Sequence, residues 1–233
     1  MTSPAGMTPS NVAALMMRFR RETGPRFAGW KALEVIPVTL PAHPARDRVP
    51  CGAGTLRRIR GTIATMTTER GPVRVAVPFI ADERKMLASW LDLHRDTLLV
   101  KCEGLSPEQL VTRSVRPSEL SLLGLVRHMA EVERNWFQRV LRGAEAPPHY
   151  REDDPDADFR GTDPLRATED FSIFRSECDD SRAVEASATS LDDVDRGGGI
   201  SLRWIMVHMI EEYARHNGHA DLLRERIDGA RGV

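Results

Sequence analysis

The chain is poor in cysteine and has no long apolar run, and both absences narrow its class. Of 233 residues only three are cysteines, Cys51, Cys102 and Cys178. They are scattered with no CxxC spacing, which excludes a disulfide framework and a zinc knuckle and fits a reducing, cytoplasmic setting. Cys102 and Cys178 read as small buried hydrophobes. No apolar stretch approaches the roughly 18 residues that a membrane-spanning helix requires. The start lacks a charged segment, a long apolar stretch and a small-residue cleavage site, so secretion is not expected. No glycine-rich phosphate loop follows a strand pattern, and Gly197 to Gly199 read as a flexible connection. The acidic run from Asp153 to Asp158 lacks the glycine and the distant glutamate of an EF-hand, so it reads as a solvated acidic loop.

What is present divides into two parts. A hydrophobic content of 41% over 233 residues is enough for one sizeable core in one or two domains. The net charge of -1 hides an asymmetry, because residues 1–70 carry eleven basic against four acidic side chains, net +7. The remainder carries 22 basic and 30 acidic residues, net -8. The first part is dense in proline and glycine and shows no sustained period, so residues 1–70 read as a poorly structured basic extension. A basic arm suits nucleic acid or an acidic lipid surface. This one has no interleaved aromatics and no reader helix, so nucleic-acid binding is not expected.

From residue 71 to 233 the helical signals become orderly. Asp82 caps a predicted helix to about Leu99, with Met86, Leu87, Trp90, Leu91 and Leu98 repeating at three and four. Ser106 and Pro107 open a short helix to Val111. Ser118 opens the next, whose apolar stripe over Leu122 to Leu141 runs through Leu125, Val126, Met129, Val132, Trp136 and Val140. Asp163 and Pro164 start a third long helix to about Ala188, and Ser201 caps a fourth. A strand at Val73 to Val77 stays open. Four amphipathic helices without convincing alternating strands predict an all-α four-helix bundle.

The last helix carries the chemistry. Glu212 and His216 are one turn apart, about 40° on the helix circumference, within or beside the apolar arc of Leu202, Ile205, Met206, Met209 and Tyr213. His208 and His219 fall on the flank of that arc. A carboxylate and an imidazole turned inward cost several kcal/mol unless they pair or bind an ion. The same spacing is also common on solvated helices, so spacing alone leaves both readings open. His128 lies at the edge of the second helix's stripe, where a structural histidine is as ordinary as a ligand. Glu133 points nearer the stripe centre, either as a carboxylate that orients a ligand or as an additional ligand.

The segments LLGLVRHMAEVERNWF and HMIEEYARHNGHADLL, about eighty residues apart, together resemble the DinB/YfiT-like superfamily of metal-binding four-helix bundles. PFIADERKMLASWLDLHRDTLLVKCEGLSPEQL and DDPDADF resemble an actinobacterial subfamily of it whose function is unknown. The resemblance covers roughly Val73 to the end. It implies a divalent transition ion held by His128, Glu212 and His216, with Glu212 standing where most members carry a histidine. Such a Glu-x-x-x-His pair is similar to that of mycothiol-dependent maleylpyruvate isomerases. Zinc, nickel, iron and manganese all suit these ligands.

The resemblance further implies use of a low-molecular-weight thiol such as mycothiol. The expectation is a metal-dependent thiol S-transferase or isomerase acting on a small electrophile, in which a bound ion lowers the thiol's pKa. His219, in place of the family's usual glutamine, would orient the thiol or the electrophile. Arg127 and Arg215 would meet an anionic group of the cofactor. A homodimer is also expected. The alternative is a non-catalytic bundle in stress response or small-ligand binding whose metal only stabilises it. An iron oxygenase shares the two-histidine, one-carboxylate composition, but the bundle context favours thiol chemistry.

The family-like region begins just after Met66, so residues 1–65 are expected to reflect an upstream start codon wrongly assigned. Intact-mass analysis of the native protein should then find an N-terminus near Met66. Finding Met1 or Thr2 there would remove the idea.

Overall fold

The computed structural model describes residues 74, 76–150, 154 and 156–232. The basic extension, Cys51 and most of the candidate strand at 73–77 lie outside the described residues, and Arg74, Ala76 and Val77 are not in a strand.

The capping residues set the helices much as their chemistry requires. Asp82 accepts the Lys85 amide at 2.9 Å and starts α1, Glu83–Cys102. The helix outlasts its predicted end because Leu98 and Cys102 both stay on its buried side. Gly104, with φ +74°, then turns the chain. Ser106 and Gln109 form a reciprocal capping box around α2, Pro107–Leu110.

The next helix, α3 at Leu122–Glu133, is capped by Ser121, which accepts the Gly124 amide at 3.1 Å. The expected cap, Ser118, instead accepts the Leu120 amide before the helix begins. The chain continues from α3 as a π-helix over Arg134–Leu141. Its wider turn buries Asn135, Trp136, Phe137 and Gln138 in succession, which a 3.6-residue period does not anticipate.

A short α4, Ala157–Arg160, follows. Asp163 then caps a 3₁₀ turn, Pro164–Arg166, that runs into α5, Ala167–Ser187. Ser201 accepts the Trp204 amide at 3.2 Å and opens α6, Leu202–Asp228, which ends on Gly229 at φ +81°. The Gly197 to Gly199 stretch is a built turn and not a slack connection, since the Asp195 carboxylate accepts the amides of Gly197, Gly199 and Ile200.

The long helices α1, α3, α5 and α6 pack as a bundle, with no β-strand among the described residues. No helix among those residues is long and apolar enough to cross a membrane. Leucines 91, 98, 122, 123, 125 and 202 are among its fully buried side chains. Trp90, expected in the α1 stripe, is 43% exposed. Cys102 and Cys178 are buried thiols as expected, and burial pushes the Cys102 pKa up to about 12.

One polar network lies inside this core. The Arg95 guanidinium (α1) donates to both oxygens of Glu133 (α3) at 2.8 Å each. The Tyr213 hydroxyl (α6) donates to the same carboxylate at 2.7 Å, and the Cys178 sulfur (α5) sits 3.9 Å from it. Each long helix thus contributes one group. Glu133 is fully buried and engaged here, so it is neither an additional ligand nor the carboxylate that orients one. Replacing it by alanine leaves the buried Arg95 with only the partly exposed Asp92, 3.0 Å from it, as a counter-charge, which should cost about 3 kcal/mol in urea unfolding. A double Arg95→Met, Glu133→Leu variant should recover most of that loss. A Glu133→Ala cost below about 1 kcal/mol would contradict the account.

Candidate metal centre

Helix periodicity turns Glu212 and His216 to the inside of α6, where they are 5% and 8% exposed. α3 brings His128 against them. The three residues offer ligand atoms that all lie within 4.8 Å of one another. The His216 Nε2 is 3.5 Å from Glu212 Oε2, and the His128 and His216 rings meet edge-on with centroids 4.8 Å apart. Tetrahedral bonds of about 2.0–2.2 Å place neighbouring donor atoms roughly 3.3–3.6 Å apart. The His216–Glu212 pair already has that span. Two imidazoles and one carboxylate suit a borderline divalent ion and leave a coordination position for a further ligand.

The surroundings set the charges of these groups. Burial pushes the Glu212 carboxyl up, but the hydrogen bond from His216 and the positive fields of Arg215 and His208 bring it below the usual range. Arg215 reaches Glu212 Oε1 at 3.2 Å and also pairs with Glu211. Burial holds His216 below the ordinary histidine value, and His128 and His219 add to this against the opposing pull of Glu212. His208, Glu211 and Glu212 form a second group of suitable donors. It is the less suitable one, because the Arg215 guanidinium already lies against both of its carboxylates.

The remaining expected residues fall in different places. His219 is at the site, with its Nδ1 3.4 Å from His216 Nδ1. Arg215 is at the site too, as a counter-charge to Glu212. Arg127, expected at an anionic group of a cofactor, is buried and committed elsewhere. Its Nε donates to the Asp158 carbonyl and one terminal nitrogen to the Ala157 carbonyl, both at 2.8 Å, while the other terminal nitrogen pairs with Asp170 at 3.3 Å. The Tyr150 ring covers it at 3.7 Å. It therefore fastens α4 to α3. His208 stays on the flank, stacked on Trp204 with ring centroids 4.9 Å apart.

Two neighbours of His128 were not anticipated. Asp158 Oδ2 lies 2.8 Å from His128 Nδ1, and the Phe159 ring stacks on the imidazole at 4.4 Å. The acidic run is therefore not simply solvated: the Asp158 side chain is 12% exposed and faces the site. The available signal was the DADF segment itself, in which an aspartate and an aromatic follow the acidic run directly.

A family model described as mycothiol-S-transferase matches residues 86–229, a span that includes His128, Glu212 and His216. No curated protein and no solved structure matches the chain.

Burial is the first cause lowering the pKa of His94, His208, His216 and His219. Such groups bind fewer protons folded than unfolded, so their contribution is complete above the unfolded value, about 6.5, and declines below it. The lowered Glu212 acts in the same direction at still lower pH. The melting temperature of metal-free protein should be level between about pH 7 and 8 and fall steadily from about pH 6.5 to 5. A level profile across that lower window would show that the histidines are not buried as described.

Proposed function

Because this chain belongs to the mycothiol-S-transferase family, we propose that it is a metal-dependent enzyme that transfers a low-molecular-weight thiol such as mycothiol to a small electrophile, or uses it to isomerise one. The observation that carries the reading is the convergence of His128 from α3 with Glu212 and His216 from α6, within 4.8 Å. Nothing in local sequence pairs these helices for a solvated face. A zinc, nickel, iron or manganese ion fits the set. When bound, its contribution is to keep a thiol deprotonated at neutral pH.

The chain's own groups do the rest. His128, Glu212 and His216 would hold the ion. Arg215 balances Glu212 and keeps it ionised. With Nε2 given to the ion, His216 would keep its hydrogen on Nδ1 and offer it to His219 Nδ1, 3.4 Å away. His219 then presents an Nε2–H, a donor suited to orienting the thiol or the electrophile. The thiol proton leaves to water, the new sulfur–carbon bond forms, and its electrons displace the electrophile's leaving group or enter its π-system. A cytoplasmic setting, where small thiols stay reduced, suits this chemistry.

Plasma mass spectrometry of untagged protein should find about one equivalent of transition metal. His128→Ala and His216→Ala should each weaken metal affinity by at least about 100-fold, more than the loss of an orienting neighbour. Mycothiol consumption with a chromogenic electrophile should require the loaded protein and be absent in both variants. Metal binding without thiol consumption would point to the non-catalytic bundle. Oxygen uptake on adding iron anaerobically and then admitting air would point to an oxygenase.

A further inference from the structure

We propose that Asp158 is a positioning residue of the centre, and that α4 serves to deliver it. Its carboxylate holds the hydrogen of His128 on Nδ1 and so leaves the Nε2 lone pair for the ion. The proposal rests on the reading of His128, Glu212 and His216 as one ligand set.

The argument starts from the imidazole. In a neutral histidine one ring nitrogen donates and the other accepts, and the hydrogen bond made by one fixes the role of the other. Asp158 Oδ2, 2.8 Å from His128 Nδ1, can only accept when ionised. Nδ1 therefore carries the hydrogen. Its partner Nε2 is then a bare lone pair. The Phe159 ring, stacked at 4.4 Å with 26° between planes, restrains the tilt of the imidazole, while the Asp158 bond restrains rotation about its axis.

Several independent features hold α4 where this works. Arg127, one residue before His128, grips the carbonyls of Ala157 and Asp158 at 2.8 Å each. Gly124, one turn before His128, clears the path. A Cβ there would stand 3.3 Å from the Phe159 carbonyl oxygen and 3.4 Å from its Cα, tighter than most side chains tolerate. The Asp158 carboxylate is itself steadied by accepting the Phe159 amide at 2.9 Å on its other oxygen. Upstream, the Arg134 side chain donates to the Pro147 carbonyl at 2.8 Å and Tyr150 donates to Asp170 at 3.1 Å, so the connection leading to α4 is anchored as well.

The test uses the full chain with histidine ¹⁵N labelling. In metal-free wild type, His128 should be in the Nδ1–H tautomer, and Asp158→Ala should move it largely to Nε2–H. In competition with a chromogenic chelator, zinc affinity should drop about 10–100-fold in Asp158→Ala and less in Asp158→Asn, whose amide oxygen still accepts. Metal-free thermal unfolding of both variants should stay close to wild type, which a general loss of structure would not allow. An Nε2–H tautomer in wild type, or no change of tautomer in Asp158→Ala, would overturn the proposal. So would zinc affinity within two-fold of wild type in Asp158→Ala while His128→Ala abolishes binding; the ligand set would then survive and the positioning role fall. If the wild type takes up no zinc, the metal reading fails and the positioning role falls with it, even where Asp158 still sets the His128 tautomer.

Discussion

The contact between Glu133 and Tyr213 governs how α3 meets α6, and the candidate centre depends on that register. At a rise of about 1.5 Å per residue, Glu133 lies roughly 7.5 Å beyond His128 on α3, and Tyr213 about 4.5 Å before His216 on α6. In an antiparallel pair, joining Glu133 to Tyr213 brings His128 opposite His216, as their ring contact shows. Arg95 supplies the opposing charge from α1 and makes the junction a three-helix one. A buried ion pair contributes little net stability over an apolar replacement. Its value here is geometric, since a one-residue slip would strand a charge in the core.

The two polar assemblies divide the work of α6 between adjacent residues. Tyr213 faces the Arg95 and Glu133 pair, while Glu212, about 100° round the helix, faces His128. Glu212 is not idle without an ion, because Arg215, His208 and His216 surround it with donors and positive field. The site therefore has a provisional counter-charge built into the same helix. A cation arriving there would compete with the half-buried Arg215 and not with a partner deep in the core.

Local chemistry made the helix starts legible. Asp82, Ser106, Asp163 and Ser201 cap as their sequence context requires, and the one-turn spacing of Glu212 and His216 put both on the inner face. His128 was different, since periodicity left it ambiguous and only the resemblance selected it. For Glu133 the inward direction is visible in sequence, while its partner, 38 residues earlier on another helix, is not. Nothing local separates Asp158 from its neighbouring carboxylates, which suit a solvated loop. Its contact with His128 spans 30 residues and depends on Gly124 and Arg127 admitting α4. The π-helical end of α3 is not legible in a period of 3.6 residues per turn, which four consecutive buried residues do not fit.

Gly124 has a consequence for how such a site can change over time. It touches none of the three ligands, yet any side chain placed there would press on the Phe159 backbone and, through it, on the segment that aligns His128. A substitution there, one helical turn from His128, would thus reach the candidate centre without altering any of its three residues.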